Sequence, residues 1–244
     1  MNKKPIFVAG AVDTELDLLL EKLEIQSGYN ENGYTYYECN LDGYPVVVLK
    51  TGVGTINAAI STAKLIDKYH PVFIINEGTA GSHMINLKKG DIIIGEEMIS
   101  INSFKTDSKT EGINPLEWCL NDFQHSNDGE FTVYKADERL VNLAENLQDT
   151  YSYGSVFKGR IGSGDTFNRE SDRIKWFNRN FGTVCEEMEG IAVYTAARKF
   201  DIPVIAFRVI SNNELIGDSY DTKYGRYAQE FTYDFLIKYI KSLV

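Results

Sequence analysis

Short, almost wholly apolar runs alternate with helical stretches along nearly all of this 244-residue chain. That alternation restricts the fold more than any other feature. Pro5 to Ala9, Val72–Ile75, Asp91–Ile94, Ser155–Ile161 and the very apolar Val204–Ile210 read as buried strands. Between them, helical periodicity covers Asp13–Leu23, Ile56–Tyr69, Asp137–Leu147, Asp172–Asn180, Met188–Phe200 and Thr222–Leu243. In the first of these, Leu16, Leu19, Leu20 and Leu23 share one apolar face. Tyr34–Glu38 and Tyr44–Lys50, joined through Asn40-Leu41-Asp42-Gly43, read as a hairpin. Strands alternating with amphipathic helices predict an α/β fold, a central mixed twisted sheet with helices on both faces. The length permits one large domain or two small ones. No internal repeat or low-complexity linker divides the chain, so a single domain over residues 1–244 is expected.

The charge balance narrows the partners. There are 25 Lys and Arg against 35 Asp and Glu, a net charge of −10. An acidic surface with no basic cluster repels phosphodiester backbones, which argues against nucleic acid. Cys39, Cys119 and Cys185 lack the spacing of a zinc site or a disulfide framework, and His70, His83 and His125 are equally scattered. No metal is expected, and a reducing, cytoplasmic compartment is. The basic start, Met1 to Pro5, precedes an apolar stretch broken by Asp13 and Glu15, too short for a signal segment, and no run is long enough to span a bilayer. The polar stretch Asn102 to Glu130 reads as a variable loop region: a substrate lid, a partner-binding loop or a tolerated surface insertion.

In open α/β sheets, ligands bind beyond the carboxyl ends of the strands. Polar or Gly-rich segments follow Ala9, Ile75, Ile161 and Ile210, at those ends. Gly78-Thr79-Ala80-Gly81 is either a tight connection or a place where backbone approaches a ligand beside the Thr79 hydroxyl. It lacks the lysine and the spacing of a nucleotide-binding loop. Glu186-Glu187-Met188-Glu189-Gly190 stands where a helix is expected to begin, so its acids can complement the helix dipole. A carboxylate facing a pocket can also accept two bonds from adjacent ribose hydroxyls. Glu189 suits that role, with Met188 packed on the sugar. Phe167, in Ser163-Gly164-Asp165-Thr166-Phe167, is either core or a ring stacked on a base. Arg208 lies inside the most apolar strand and must be partnered or face a cavity. At that strand's mouth Ser211 and Asn212 are placed to read a base edge, unless Asn212-Asn213 simply forms a turn.

Together these segments resemble the nucleoside phosphorylase/nucleosidase superfamily, and within it the nucleosidases acting on methylthioadenosine and adenosylhomocysteine. The resemblance runs from Gly10 to the final helix and is weakest over Asn102–Glu130. It implies that Glu15 activates the attacking water and that Thr79 lies near the nucleophile. It implies that Phe167 stacks on the purine while the backbone of Asn168 meets the base edge. Met188 and Glu189 would contact the ribose, and Arg208 and Ser211 would support the catalytic position. Asn212 departs from the pattern: the nucleosidases for 6-aminopurines carry an aspartic acid there to protonate N7, and an amide delivers no proton. A 6-oxopurine substrate, as in futalosine hydrolases, is the alternative, unless Glu214, Asp218 or Asp165 supplies the acid. A homodimer is expected by analogy, with a small purine nucleoside as substrate and no cofactor.

Water is favoured over phosphate as nucleophile. Hexameric phosphorylases of the superfamily hold phosphate with arginines in and before the Gly-rich segments, where this chain has Glu15, Asn76 and Glu77. Carboxylates there would repel phosphate, whereas Glu15 suits a general base. A phosphorylase and a non-enzymatic nucleoside-binding module are the competing readings.

Overall fold

The computed structural model describes residues 3–31, 33–105, 119–120 and 131–243, so most of the Asn102–Glu130 segment lies outside the described residues. Among the described residues there are twelve strands: β1 (Ile6–Gly10), β2 (Glu24–Glu31), β3 (Tyr34–Leu41), β4 (Tyr44–Lys50), β5 (Ile74–Ser82), β6 (Ile92–Ser100), β7 (Phe104–Lys105), β8 (Cys119–Leu120), β9 (Tyr134–Lys135), β10 (Val156–Ser163), β11 (Thr183–Glu187) and β12 (Val204–Asn212). The helices are α1 (Asp17–Lys22), α2 (Thr55–Tyr69), α3 (Glu138–Glu145), α4 (Ser171–Phe181), α5 (Gly190–Lys199) and α6 (Gly225–Lys241).

The main sheet runs in the order β11-β10-β6-β12-β5-β1-β4-β3-β2, with β9 added against β6. It is mixed, as expected: β1 pairs parallel with β4 and β5, and β12 pairs parallel with β5 but antiparallel with β6. β11 also reaches round to pair antiparallel with the end of β5, Glu186 opposite Gly81. That end of the sheet therefore closes on itself. One face is covered by α1, α3 and α6, where Phe73, Phe207, Phe231 and Phe235 pack edge to face. The other is covered by α2 and α5 over Phe7, Leu65, Ile66 and Val193.

Four sequence expectations need correction. Gly78 to Gly81 is not a turn: β5 continues through it, because β12 pairs with it through Ala80 and, after a register shift at Ser211, at Gly81. The helix expected over Asp13–Leu23 is a 3-10 turn at Asp13–Glu15 followed by α1, broken at Leu16 with φ −128°. Glu186 and Glu187 end a strand rather than starting a helix, and Glu189 precedes α5. The final helix is likewise a 3-10 turn at Thr222–Tyr224 and then α6. β2 escaped notice because most of its side chains are exposed or half-buried and carry no apolar alternation.

The Asp13–Glu15 turn is tied to α6 by one side chain. Gln229 is buried, its Oε1 accepts the Leu19 N–H at 3.0 Å, and its Nε2 donates to the Thr14 carbonyl at 3.0 Å. Gln229→Ala orphans both groups, so it is expected to cost about 1–3 kcal/mol. Denaturant unfolding measures the loss, and a value within error of zero contradicts this anchoring.

Candidate functional site

A cavity of about 380 Å³ opens at the carboxyl ends of β1, β5 and β12, capped by the segments that follow β10 and β11. Three carboxylates line it: Glu15, Glu187 and Glu189. Among the described residues, no Lys or Arg does.

Glu15 is held from three sides. Its Oε2 accepts the Ala11 N–H at 3.0 Å, and its Oε1 accepts both the Thr79 N–H at 2.8 Å and the Thr79 hydroxyl at 3.0 Å. This contact requires glycine at 78, where φ is +154° and a Cβ would stand 2.7 Å from Glu15 Oε1. Thr79 also lies in hydrogen-bonding contact with Tyr220, whose ring stands edge-on to Phe167 at 6.2 Å. Phe167 is 49% exposed, a cavity wall and not core.

Glu187 is the hub behind the wall formed by Met188 and Glu189. Its carboxylate accepts the N–H groups of Glu189 and Gly190 and pairs with the Arg208 guanidinium at 2.5 Å. Arg208 also donates to the Asn76 carbonyl at 2.8 Å and to the Asn76 side chain. It is 1% exposed and does not line the cavity, so it supports the site through Glu187 rather than touching a ligand. Burial opposes its charge, and the carboxylates, Glu187 first, outweigh that and hold its proton.

Glu189 accepts the Gly54 N–H at 2.8 Å. Its pKa is pushed up to about 8, by burial first and then by the charge of Glu187. Met188 lies beside it on the cavity wall. Across the cavity, Ser211 Oγ reaches the Asn212 Oδ1 at 3.1 Å, leaving the Asn212 Nδ2 to donate elsewhere.

The cavity thus brings together Glu15, Thr79, Phe167, Met188, Glu189, Ser211 and Asn212, all foreseen from sequence. Asn168 stands apart from the expectation placed on it. Its N–H donates to Glu186 Oε1 at 2.9 Å, so that donor is not open to a base edge. The three acids considered as substitutes for Asn212 are engaged elsewhere: Asp165 with Thr55, Asp218 with Lys89, and Glu214 with Arg169. Glu187 and Tyr220 were missed as wall residues. Arg208's need for a partner was the only signal for the first, and the loop before α6 carried none for the second.

Glu77 also differs from expectation. It is fully buried on the α6 side of β5, its Oε1 has no partner among the described residues, and Thr232 stands 3.5 Å from its Oε2. Burial, then the Glu15 charge, raise its pKa well above the usual carboxylate range. It does not line the cavity, and its burial disfavours the charged form. An unfolded glutamate titrates near about 4.3, so the folded chain holds this proton more tightly. The contribution is fully present below that pH and is lost as pH rises. The melting temperature of Glu77→Gln should therefore gain on the parent between pH 5 and pH 8. A constant difference across that range shows that Glu77 ionises freely.

A family model described as the phosphorylase superfamily matches residues 5–239. The 5′-methylthioadenosine/S-adenosylhomocysteine nucleosidase of Bacillus cereus is 28% identical over 247 residues, covering 98% of this chain and 99% of the relative. Among solved structures, the Neisseria meningitidis nucleosidase of that name, in complex with methylthio-immucillin-A, superposes with a TM-score of 0.80 at 22% identity, covering 96% and 99% of the two chains. The futalosine hydrolase of Helicobacter pylori gives a TM-score of 0.79 at 18% identity, covering 96% and 98%. With a family match over nearly its full length, the chain belongs to the phosphorylase superfamily.

Proposed function

We propose that the chain hydrolyses the N-glycosidic bond of a purine nucleoside. One observation carries this: the carboxylate of Glu15, oriented by Ala11 and Thr79, stands in a cavity with no described cationic side chain on its walls. Such walls oppose a phosphate dianion and favour water with a general base. The curated relatives named as nucleosidases support the same reading.

In this mechanism the base rests on Phe167 beside Asn212, and the ribose hydroxyls bond to Glu189. The C–N bond stretches, and the oxocarbenium character of the sugar is stabilised by Glu15, Glu187 and Glu189. Glu15 removes a proton from the water that attacks the anomeric carbon. The departing nitrogen gains a proton in turn, so nucleoside and water yield free base and free sugar. Asn212 donates a hydrogen bond to the base but no proton. This favours a second reading on the identity of the base, a 6-oxopurine in place of the 6-aminopurine of the named relatives.

The chain also assembles as a homodimer in this reading. Ile56, Ile60 and Val53 are 72%, 62% and 50% exposed, and Val53 lines the catalytic cavity as well. A second copy on this apolar face would bury it and close the cavity mouth. Among the described residues no helix is long and apolar enough to cross a membrane, consistent with a small-molecule substrate taken from water.

Two measurements test these assignments. Purified protein should release base from a purine nucleoside without phosphate, and Glu15→Gln should lower kcat at least about 100-fold at unchanged melting temperature. Dependence on phosphate with sugar 1-phosphate as product overturns the hydrolytic reading. Sedimentation should give a dimer that Ile60→Glu converts to monomer, and a monomeric parent removes the dimer.

A further inference from the structure

Glu186 is absent from the mechanism, yet it is nearly buried and occupies a place of consequence in the sheet. β11 pairs with β5 so that Glu186 faces Gly81, and β12 pairs with β5 so that Asn212 also faces Gly81. The three residues form one row across three strands. With strands about 4.8 Å apart, the Cα atoms of Glu186 and Asn212 flank Gly81 roughly 10 Å from each other. Gly81 has no side chain to fill the gap, and it lines the cavity. Gly81 and Asn212 line the cavity while Glu186 and Asn168 stand just behind it, so a purine stacked on Phe167 would turn its edge toward this row.

The hydrogen-bond directions along the row are unequal. Glu186 Oε1 accepts the main-chain N–H of Asn168 at 2.9 Å, and its Oε2 accepts the Asn168 Nδ2 at 2.6 Å. His83, buried and set by Thr183 at 2.8 Å on its other nitrogen, stands 3.1 Å from the same Oε2. The main-chain donor and one side-chain donor of Asn168 are thereby turned inward. Its Oδ1 and main-chain carbonyl accept no bond among the described residues. A carboxylate has about four lone-pair sites, of which these contacts take at most three. This end of the row presents acceptors. At the other end the Asn212 Nδ2 is left to donate, as N7, an acceptor in every purine, would require.

A 6-aminopurine has an unprotonated N1 and needs a donor there. A 6-oxopurine carries N1–H and needs an acceptor. Resting on the assignment of this cavity to a purine nucleoside, we propose that Glu186, acting through Asn168, is the specificity-determining residue of the base pocket and selects a 6-oxopurine (hypoxanthine-type) nucleoside over the 6-amino analogue. A site built to receive a hydrogen bond discriminates strongly against a base that cannot make it, because the buried groups are left unpaired.

The full chain should be assayed with 5′-methylthioinosine against 5′-methylthioadenosine and with inosine against adenosine, so that each pair differs only in the base. Binding of free hypoxanthine and free adenine is measured in parallel by calorimetry. The expected result is a kcat/KM at least about tenfold higher for the 6-oxo member of each pair, with hypoxanthine bound more tightly. In Glu186→Gln, whose amide frees an N–H donor, that ratio should fall by about tenfold or more. Should the variant fold poorly, the comparison of the two bases on the parent protein still decides. Adenine bound as tightly as hypoxanthine, no binding of either base, or equal turnover within each pair overturns the proposal. Preferential binding of hypoxanthine without release from any nucleoside upholds the base assignment and sinks the hydrolytic reading instead.

Discussion

The buried ion pair between Arg208 and Glu187 is the contact around which the site is arranged. Glu15, Glu77, Glu187 and Glu189 are each less than one-tenth exposed and are electrostatically coupled, an accumulation of like charge that costs heavily away from water. Arg208, in the middle of the wholly buried β12, offsets it for Glu187. Fixing Glu187 fixes the N–H groups of Glu189 and Gly190, and hence the start of α5. Removing one partner of such a pair leaves an uncompensated charge, a larger penalty than the pair's own net worth.

The other acids are managed differently. In Glu77 burial, and then the Glu15 charge, disfavours the ionised form. Glu189 shares that tendency less strongly and remains within reach of ionisation near neutrality. Glu15 is solvated by the protein itself, through two N–H groups and a hydroxyl. Neighbouring carboxyl groups thereby acquire separate roles through environment alone. A cavity lined by three carboxylates and, among the described residues, by no lysine or arginine favours a developing cation over an anion.

Much of this was legible in the chain because hydrophobic period and strand-end polarity are local signals. The α/β class, nearly all the helices and six of the wall residues follow from them, whereas Glu15 came from the family resemblance. What stayed hidden depends on pairing between distant segments. Gly78 to Gly81 looks like a turn until β12 is laid alongside it, since glycines carry no preference for the extended pairing they adopt here. β11 is five residues between two helices, and its acids gave a helix-start signal that tertiary pairing overrode. The destination of the Asn168 N–H was invisible because its acceptor lies 18 residues further on. Tyr220 reaches the wall through its contacts with Phe167 and Thr79, both distant in sequence.

The closure of the sheet has a consequence for how this scaffold can diversify. β11 is bonded to β10 along one side and to β5 along the other. Its end of the sheet therefore has no free rim to splay apart or to recruit a foreign strand. A backbone locked in this manner cannot widen or shift to admit a new ligand. Novelty must come from exchanging individual side chains that project from a fixed frame, so close relatives can differ in chemistry while their main chains superimpose.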